Sequence, residues 1–252
     1  MFDLVDSLAC GAPGTDAAAS PPHRLRDLNA RFAPQDAPAV LHHARQHLGQ
    51  VALVSSFGAE AAVLLHMAAM VDRDFPVLFI DTGRLFAQTL AYQRQLGQRL
   101  GLRDLRVVRA DDIARHDPDA TLHARDGRAC CELRKSAPLR AALAGFDGWI
   151  SGRKRFHAGQ RADLPLFEAE PGTARIKVNP LAFWSARDIR AYMQRHDLPP
   201  HPLVSRGFAS IGCLPCTTRV EAHEDPRAGR WRDSDRQECG IHLPDPQPVN
   251  IR

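Results

Sequence analysis

Two common nucleotide-binding motifs are absent from this 252-residue chain. It contains neither the G-x-G-x-x-G fingerprint of Rossmann dinucleotide domains nor the G-x-x-x-x-G-K-[ST] phosphate loop, which excludes those two ways of binding a nucleotide. No run of 18 apolar residues is free of charged or polar breaks, so we expect no transmembrane helix. The N-terminus lacks a basic start and an apolar secretory core, and the simplest expectation is a cytoplasmic protein.

The composition is that of an ordinary globular chain. Hydrophobic residues make up 44% and charged residues 25%, with a formal net charge of +4. This mild positive charge suits an anionic small molecule and does not by itself indicate nucleic acid, so we expect neither nucleic acid nor membrane as a partner. We predict a flexible leader at 1–22, one domain at 23–226 and a C-terminal tail at 227–252.

Residues 51–70, VALVSSFGAEAAVLLHMAAM, predict the centre of the fold. The first four form an apolar run typical of a parallel strand covered on both faces. The turn Ser55-Ser56-Phe57-Gly58 follows, and a helix is predicted from Ala59 onward. A helix that begins there directs unpaired backbone N–H groups beyond the strand's carboxyl edge, where phosphate or sulfate would bind. The same turn also fits a plain strand–helix connection with capping serines.

Two further strands predict a parallel sheet. They are expected at 75–80 and 105–108, with a helix over 86–100 between them. Alternating strands and helices imply right-handed crossovers, so we predict a single α/β domain with a mostly parallel twisted sheet flanked by helices. The second strand is followed by Asp81, Thr82, Gly83 and Arg84, at the same edge as the Ser/Gly turn. These four fit either a capped glycine turn or a nucleotide site.

The second half of the chain predicts less regular structure. Residues 111–127 are predicted to be irregular, and the basic cluster Gly152-Arg153-Lys154-Arg155 follows a fourth predicted strand. Such a cluster fits either a solvated surface or an anion site. The other predicted elements are a short helix between Ser136 and Gly145, a strand over 175–180, and a helix over 185–196 with a capping box of Ser185 and Asp188.

The six cysteines divide into two close pairs and two single residues. Cys130 with Cys131 and Cys213 with Cys216 indicate a metal site more than disulfides in a reducing compartment. Adjacent cysteines point in different directions and fit one tetrahedral zinc poorly, whereas an iron–sulfur cube binds each cysteine at a separate corner. Structural zinc, or two unrelated thiol pairs, remain as alternatives. Cys10 lies in the predicted leader, and we expect no role for it.

Cys239 has a different setting, near the end of the chain. Three arginines precede it, at 227, 230 and 236, and His242 follows three residues later. Nearby cations favour thiolate over thiol, and thiolate is the nucleophile. The sequence is therefore consistent with a reactive thiol near an anion site, or with a spare cysteine on a flexible tail.

Five motifs, taken together, resemble the assimilatory adenylyl-sulfate reductases, the iron–sulfur branch of the adenylyl-sulfate and phosphoadenylyl-sulfate reductase family. They occur in the expected order between about residues 40 and 243. The resemblance implies an adenine nucleotide alpha hydrolase-like fold with a mobile C-terminal tail. The motifs are Ser55-Ser-Phe-Gly-Ala-Glu, Asp81-Thr-Gly-Arg, Cys130-Cys-Glu-Leu-Arg-Lys, Gly212-Cys-Leu-Pro-Cys-Thr and Glu238-Cys-Gly-Ile-His.

The same resemblance implies a role for each matching residue. Cys239 would be the catalytic nucleophile, and a [4Fe-4S] cluster would be held by Cys130, Cys131, Cys213 and Cys216. Substrate-binding residues would be Ser55, Ser56, Phe57, Gly58, Glu60, Asp81, Thr82, Gly83, Arg84, Lys135, Arg153, Arg227, Arg230 and His242. Arg153 and Arg155 are the least secure, because the family's Gly-x-Arg-x-Asp-Gln-Ser run is replaced here by Gly152-Arg-Lys-Arg-Phe-His-Ala.

The implied reaction is thiol-dependent reduction of adenylyl sulfate to sulfite and AMP through an S-sulfocysteine. No second cysteine accompanies Cys239 in the predicted tail, so thioredoxin or a similar dithiol would complete the cycle. The chain could also associate with itself as a homo-oligomer. The nearest alternative is a phosphoadenylyl-sulfate reductase, or an enzyme that accepts both nucleotides. An RNA-thiolating ATP pyrophosphatase would need an S-G-G-x-D-S loop, and a zinc-stabilised RNA-binding protein would use the basic clusters and paired cysteines.

Overall fold

A six-stranded sheet forms the centre of the computed structural model, which describes residues 21–157, 159–232, 236 and 238–242. The strands lie in the order β3-β2-β1-β4-β6-β5, and all pair in parallel except the edge strand β5. Their bounds are β1 Val51–Ser55, β2 Val77–Ile80, β3 Leu105–Val108, β4 Gly148–Ile150, β5 Phe167–Ala169 and β6 Ile176–Val178. The predicted α/β class with a mostly parallel sheet is confirmed.

Helices cover both faces of this sheet. In chain order they are α1 Pro21–Arg31, α2 Ala37–His47, α3 Ala61–Val71, α4 Ala87–Leu100, α5 Ile113–His116, α6 Leu122–Arg125, α7 Gly127–Cys131, α8 Ala137–Ala142 and α9 Ala186–Arg195. Among the described residues, no helix combines the length and the apolar character needed to cross a bilayer.

The alternation of side chains along β1 explains why both faces are covered. Val51 and Leu53 enter the larger core, packed under α2 and α3, whereas Ala52 and Val54 enter a smaller core beside α8. All five residues of β1 are buried, because successive side chains of a central strand point to opposite covered faces. This double burial is what the continuous apolar run predicted.

The chain changes direction within the sheet at β1. It proceeds from β1 to β2 and β3 on one side and then returns to place β4 on the other side. The loops after β1 and β4 therefore diverge and leave a crevice at the carboxyl edge, the position at which open α/β sheets bind ligands. The residues that follow these two strands are the Ser/Gly turn and the basic cluster after Ile150.

Several local predictions differ from the structure. The helix after β1 begins at Ala61, two residues later than predicted, and the edge strand β5 was not predicted. The segment predicted as irregular over 111–127 contains α5 and α6. The predicted capping box is confirmed: the Ser185 hydroxyl accepts from the Asp188 N–H, and the Asp188 carboxylate accepts from the Ser185 N–H.

The paired cysteines 130 and 131 end α7, and a π-helical turn over Glu132–Ser136 joins it to α8. Asp126 begins this unit, because its carboxylate accepts from the backbone N–H groups of Arg128 and Ala129. A π turn widens the helix and redirects the side chains that it carries, and such turns are frequent at functional sites. Lys135 lies within this turn.

Candidate active site

A cavity of about 860 Å³ lies at the carboxyl edge of β1 and β4. Its volume is within the range of small-molecule sites, and residues from the chain's middle and its C-terminal part form the walls. Of the residues predicted to bind substrate, the lining includes Ser55, Ser56, Gly58, Glu60, Thr82, Lys135, Arg153, Arg227, Arg230 and His242, together with Cys213 and Cys239. Phe57, Asp81, Gly83 and Arg84 are not among the lining residues.

Phe57 fixes the conformation of the Ser/Gly turn. This residue adopts a φ of 49°, which is unusual for a non-glycine residue, and its ring is fully buried. The ring packs edge-on against Phe79 at 5.2 Å between centroids, and the Phe57 N–H donates to the Ser55 hydroxyl at 3.1 Å. Phe57 therefore anchors the turn from below, while its neighbours face the cavity.

Glu60 lies at the start of α3 and is paired with a cation across the cavity mouth. Its carboxylate is 2.8 Å from the Lys154 ammonium and 3.6 Å from His157. Burial opposes the charged form, but Lys154 and His157 outweigh it and lower the pKa of Glu60 to about 2. The loop after β1 and the basic cluster after β4 are thus tied together by charge.

The loop after β2 contributes one residue to the cavity and others to the structure that supports it. Thr82 lines the cavity, whereas Asp81 accepts from the Gly83 N–H and pairs with Arg109 at 2.6 Å. The Arg84 carbonyl accepts from the Leu214 N–H at 2.7 Å, which fixes the turn that carries Cys213 and Cys216. The Arg84 side chain leaves its Nε buried without a partner. Asp81 and Arg84 therefore support the site from outside the cavity.

The basic cluster also divides between the cavity and the core. Arg153 lines the cavity and pairs with Glu168, and Lys154 pairs with Glu60. Arg155 is directed elsewhere: its guanidinium lies over the Phe183 ring at 3.8 Å and donates to the Leu164 carbonyl. Arg155 is therefore a packing residue and is not among the residues that line the cavity.

The described part of the C-terminal segment folds against the domain. Arg230 pairs with Thr217 in an isolated β-bridge, and the Trp231 N–H donates to the Cys216 carbonyl at 3.2 Å. The Arg230 guanidinium lies against Gly212, where a Cβ would stand only 2.4 Å from its Nη2, so a larger residue at 212 would displace the guanidinium. This packing carries the segment across the cavity.

Cys239 is buried in the cavity wall, with 8% of its surface exposed. A hydrogen bond from the Cys131 thiol and the charge of Lys135 hold the pKa of Cys239 well below its usual range, against the effect of burial. Burial likewise opposes the charge on Lys135, but the negative charge of the Cys239 thiolate is the largest of the effects that outweigh it and raise the Lys135 pKa. A thiolate and an ammonium thus stabilise each other here.

His242 lines the cavity with Cys239, and its imidazole is neutral. Its ring stacks on Trp149 at 5.9 Å between centroids, and its Nδ1 is buried without a partner. Burial, with the nearby cations Lys177 and Arg153, holds the His242 pKa well below its usual range. The orphaned Nδ1 is a buried polar atom for which a bound ligand or water is the ordinary partner.

Three of the four paired cysteines, at 131, 213 and 216, interact with Lys135 or Arg236. Cys130 interacts electrostatically with Cys213 and Cys216, and Arg236 donates to the Cys131 sulfur at 3.2 Å. The five described cysteines are free thiols, and no three or more His, Cys, Asp or Glu side chains in the described residues are close enough together to hold a single ion. Thiolates with a separate iron for each sulfur are the ligands of an iron–sulfur cube. The cluster itself remains a prediction.

Several lining residues were not predicted. They are Ser151, Lys154, His157, Arg161, Trp231 and Glu238. Lys154 and Glu238 lie within motifs that the sequence singled out, but Arg161 follows an irregular loop and carries no local signal. Its guanidinium pairs with the Glu238 carboxylate, which directly precedes Cys239.

A doubly wound α/β sheet with a basic cavity at its switch point is typical of nucleotide-binding proteins. Comparison with known proteins narrows this class. The family model for the phosphoadenosine phosphosulfate reductase domain matches residues 50–219. The chain belongs to the phosphoadenosine phosphosulfate reductase family, which confirms the predicted resemblance.

Curated relatives cover most of the chain. A protein named adenosine 5'-phosphosulfate reductase from Chelativorans sp. is 46% identical over 223 residues, covering 86% of this chain and 90% of the relative. Proteins of the same name from Mesorhizobium japonicum and Mycolicibacterium smegmatis are 49% and 36% identical, over 77% and 91% of this chain and 76% and 99% of the relatives.

Solved structures agree on the fold. The phosphoadenylyl-sulfate reductase of Candida auris, solved as a phosphate complex, superposes with a TM-score of 0.68 at 24% identity, covering 82% of this chain and 100% of that one. The FMN adenylyltransferase of Candida glabrata gives a TM-score of 0.54 at 14% identity, over 81% of this chain and 77% of that one. At these identities the likeness concerns architecture alone.

Proposed function

We propose that this chain reduces adenylyl sulfate to sulfite and AMP in assimilatory sulfate reduction. The names of the relatives that span most of the chain support the reaction and the substrate. The observation that carries the proposal is the position of Cys239, a thiol of lowered pKa in the wall of a cation-lined cavity at the sheet's switch point.

The first chemical step is nucleophilic displacement at sulfur. The Cys239 thiolate attacks the sulfuryl sulfur, an S–S bond forms, and the bond from that sulfur to the phosphate oxygen breaks. The electron pair of the broken bond leaves on the AMP phosphate. The products are AMP and an S-sulfocysteine at position 239, so the protein has accepted an SO3 group without an external reductant.

Three cations of the cavity wall suit this step. Lys135, Arg227 and Arg230 line the cavity together with Cys239 and would stabilise the charge that develops on the sulfate oxygens and on the departing phosphate. His242 is neutral, so its imidazole adds no positive charge to these three cations. The loop at Ser55, Ser56 and Gly58 would bind the nucleotide's phosphate end.

The second step needs two electrons from a dithiol. One donor thiolate attacks the Cys239 sulfur, sulfite leaves, and a mixed disulfide remains. The donor's second thiol then attacks that disulfide, which restores the Cys239 thiol and releases the oxidised donor. Thioredoxin, or a protein of the same chemistry, is the proposed donor, and a reducing cytoplasm is the proposed location.

We assign the four paired cysteines to a [4Fe-4S] cluster, with Lys135 between the cluster and the substrate. The free thiols and their polar contacts support this assignment: Arg236 donates to the Cys131 sulfur, and the Thr82 hydroxyl lies 3.3 Å from the Cys213 sulfur. When bound, the cluster would add electrostatic and structural support near the substrate without changing its redox state.

The test is sulfite release by anaerobically purified protein. We expect sulfite and AMP in equal amounts from adenylyl sulfate, only when a dithiol donor is present, from a brown protein that contains iron. Phosphoadenylyl sulfate, assayed in parallel, decides between the two nucleotides. A colourless protein that contains zinc and releases no sulfite from either nucleotide would refute the proposal.

A further inference from the structure

One wall of the cavity is an unbroken row of polar contacts that ends beside the nucleophile. We call it the wall network, and it consists of Lys154, Glu60, His157, Arg161 and Glu238. Lys154 lies 2.8 Å from Glu60, Glu60 lies 3.6 Å from His157, and His157 Nδ1 lies 3.0 Å from Arg161 Nη1. Arg161 then pairs with Glu238, the residue before Cys239.

The contact between Arg161 and Glu238 joins two distant parts of the chain. Two nitrogens of the guanidinium, Nε and Nη2, donate to the two carboxylate oxygens, the latter at 2.8 Å. Both side chains are less than a tenth exposed, so water competes little for these bonds. Such two-point pairs fix direction as well as distance. Arg227, 3.8 Å from the same carboxylate, adds a second cation.

His157 fixes the direction of the Arg161 side chain. The guanidinium can only donate, so His157 Nδ1 must be the acceptor, and the ring proton is on Nε2. That Nε2–H faces the Glu60 carboxylate, which is itself held by Lys154. The His157 imidazole therefore links Glu60, in the loop after β1, to Arg161, although it contacts neither Cys239 nor Glu238.

We propose that His157 and Glu238 are positioning residues that hold the Cys239 segment in the cavity through Arg161. Glu238 is the residue of this segment that Arg161 binds, and His157 orients the Arg161 guanidinium. This inference rests on the proposed function, because it assumes that Cys239 reacts in the cavity. A purely structural role would stabilise the fold without altering the reactivity of one thiol.

The test compares Glu238→Gln with the parent in two measurements on Cys239. The first is the rate at which iodoacetamide modifies Cys239, followed by peptide mass spectrometry without any nucleotide. The second is the single-turnover rate of S-sulfocysteine formation from adenylyl sulfate. Because a charged two-point pair is lost, we expect alkylation about tenfold faster and adduct formation about tenfold slower, with KM changed less than threefold.

Two controls separate positioning from a general loss of charge or fold. Glu224→Gln removes a carboxylate that pairs with Arg232 at 2.7 Å, away from the wall network, and should leave both rates as in the parent. His157→Phe keeps a ring without an acceptor and should change both rates in the direction of Glu238→Gln by about threefold, whereas His157→Gln keeps an acceptor and should restore them.

The outcomes decide the proposal even if one variant does not fold. Unchanged rates in Glu238→Gln, or equal rates in His157→Phe and His157→Gln, would overturn it, and the histidine pair suffices should Glu238→Gln be unstable. A parent protein that forms no adduct at Cys239 would overturn the proposed function instead. The alkylation rates would still report whether the wall network restrains the segment.

Discussion

Replacing Lys135 by methionine removes the positive charge closest to Cys239 while keeping most of the side chain's volume. At about 4 Å and an effective dielectric constant of about 20, two unit charges attract by about 4 kcal/mol. Desolvation of the ammonium offsets part of this, so we take about 3 kcal/mol as the loss in the transition state, or a rate reduction of about 100-fold. The pKa of Lys135 lies above its usual value, so the ammonium is charged at any working pH.

The assay is single-turnover formation of S-sulfocysteine under anaerobic conditions, with iron content and the visible spectrum measured on the same samples. Lys135→Arg keeps the charge and should retain more activity than Lys135→Met. Arg128→Met removes an exposed cation from the neighbouring helix α7 and serves as the matched control. An adduct rate in Lys135→Met within threefold of the parent, with iron content unchanged, would refute the electrostatic role.

Three further predictions concern packing and pH. Gly212→Ala places a Cβ 2.4 Å from Arg230 Nη2, so the guanidinium must move, and KM for adenylyl sulfate should rise about tenfold; an unchanged KM would remove Arg230 from substrate binding. Burial lowers the pKa of His201 to about 4, and its Nδ1 accepts from the Leu203 N–H. As the pH falls, His201 binds a proton at a higher pH in the unfolded chain than in the folded one. The free energy of unfolding should therefore fall as pH drops from about 6.5 to 4, and His201→Asn should show a shallower fall. Ser185→Ala removes the cap of α9 and should lower the free energy of unfolding, measured in urea, by about 1 kcal/mol, with sulfite release unaffected. A decrease of less than a few tenths of a kcal/mol would contradict the cap's role.

The centre of the sheet was predictable because β1 and β2 are covered on both faces. Continuous apolar runs at β1 and β2 are long enough to stand out, and the turns after them carry the Ser55 and Asp81 motifs. β5 escaped prediction because it is a three-residue edge strand that depends on its pairing with β6. The helices α5 and α6 were missed because a four-residue helix has little periodicity of its own.

The site residues that lie in recognisable sequence motifs were predictable. Those that only the tertiary structure brings to the cavity were not. Thr82, Lys135 and Cys239 lie in recognisable motifs, and the structure places all three on one cavity. Arg161 has no such setting, and only the fold brings it to Glu238 across 77 positions of sequence. Phe57 shows the converse, because its motif predicted ligand contact whereas its ring fills the core.

The central claim is that Cys239 accepts the SO3 group, and peptide mass spectrometry tests it most directly. Protein exposed to adenylyl sulfate without a donor should carry one added SO3 on the peptide that contains Cys239, and a dithiol should remove it with release of sulfite. The Cys239→Ser variant should bind nucleotide and iron as the parent does but gain no such mass. An unmodified Cys239 in the parent, or the same mass gain in the serine variant, would contradict the account.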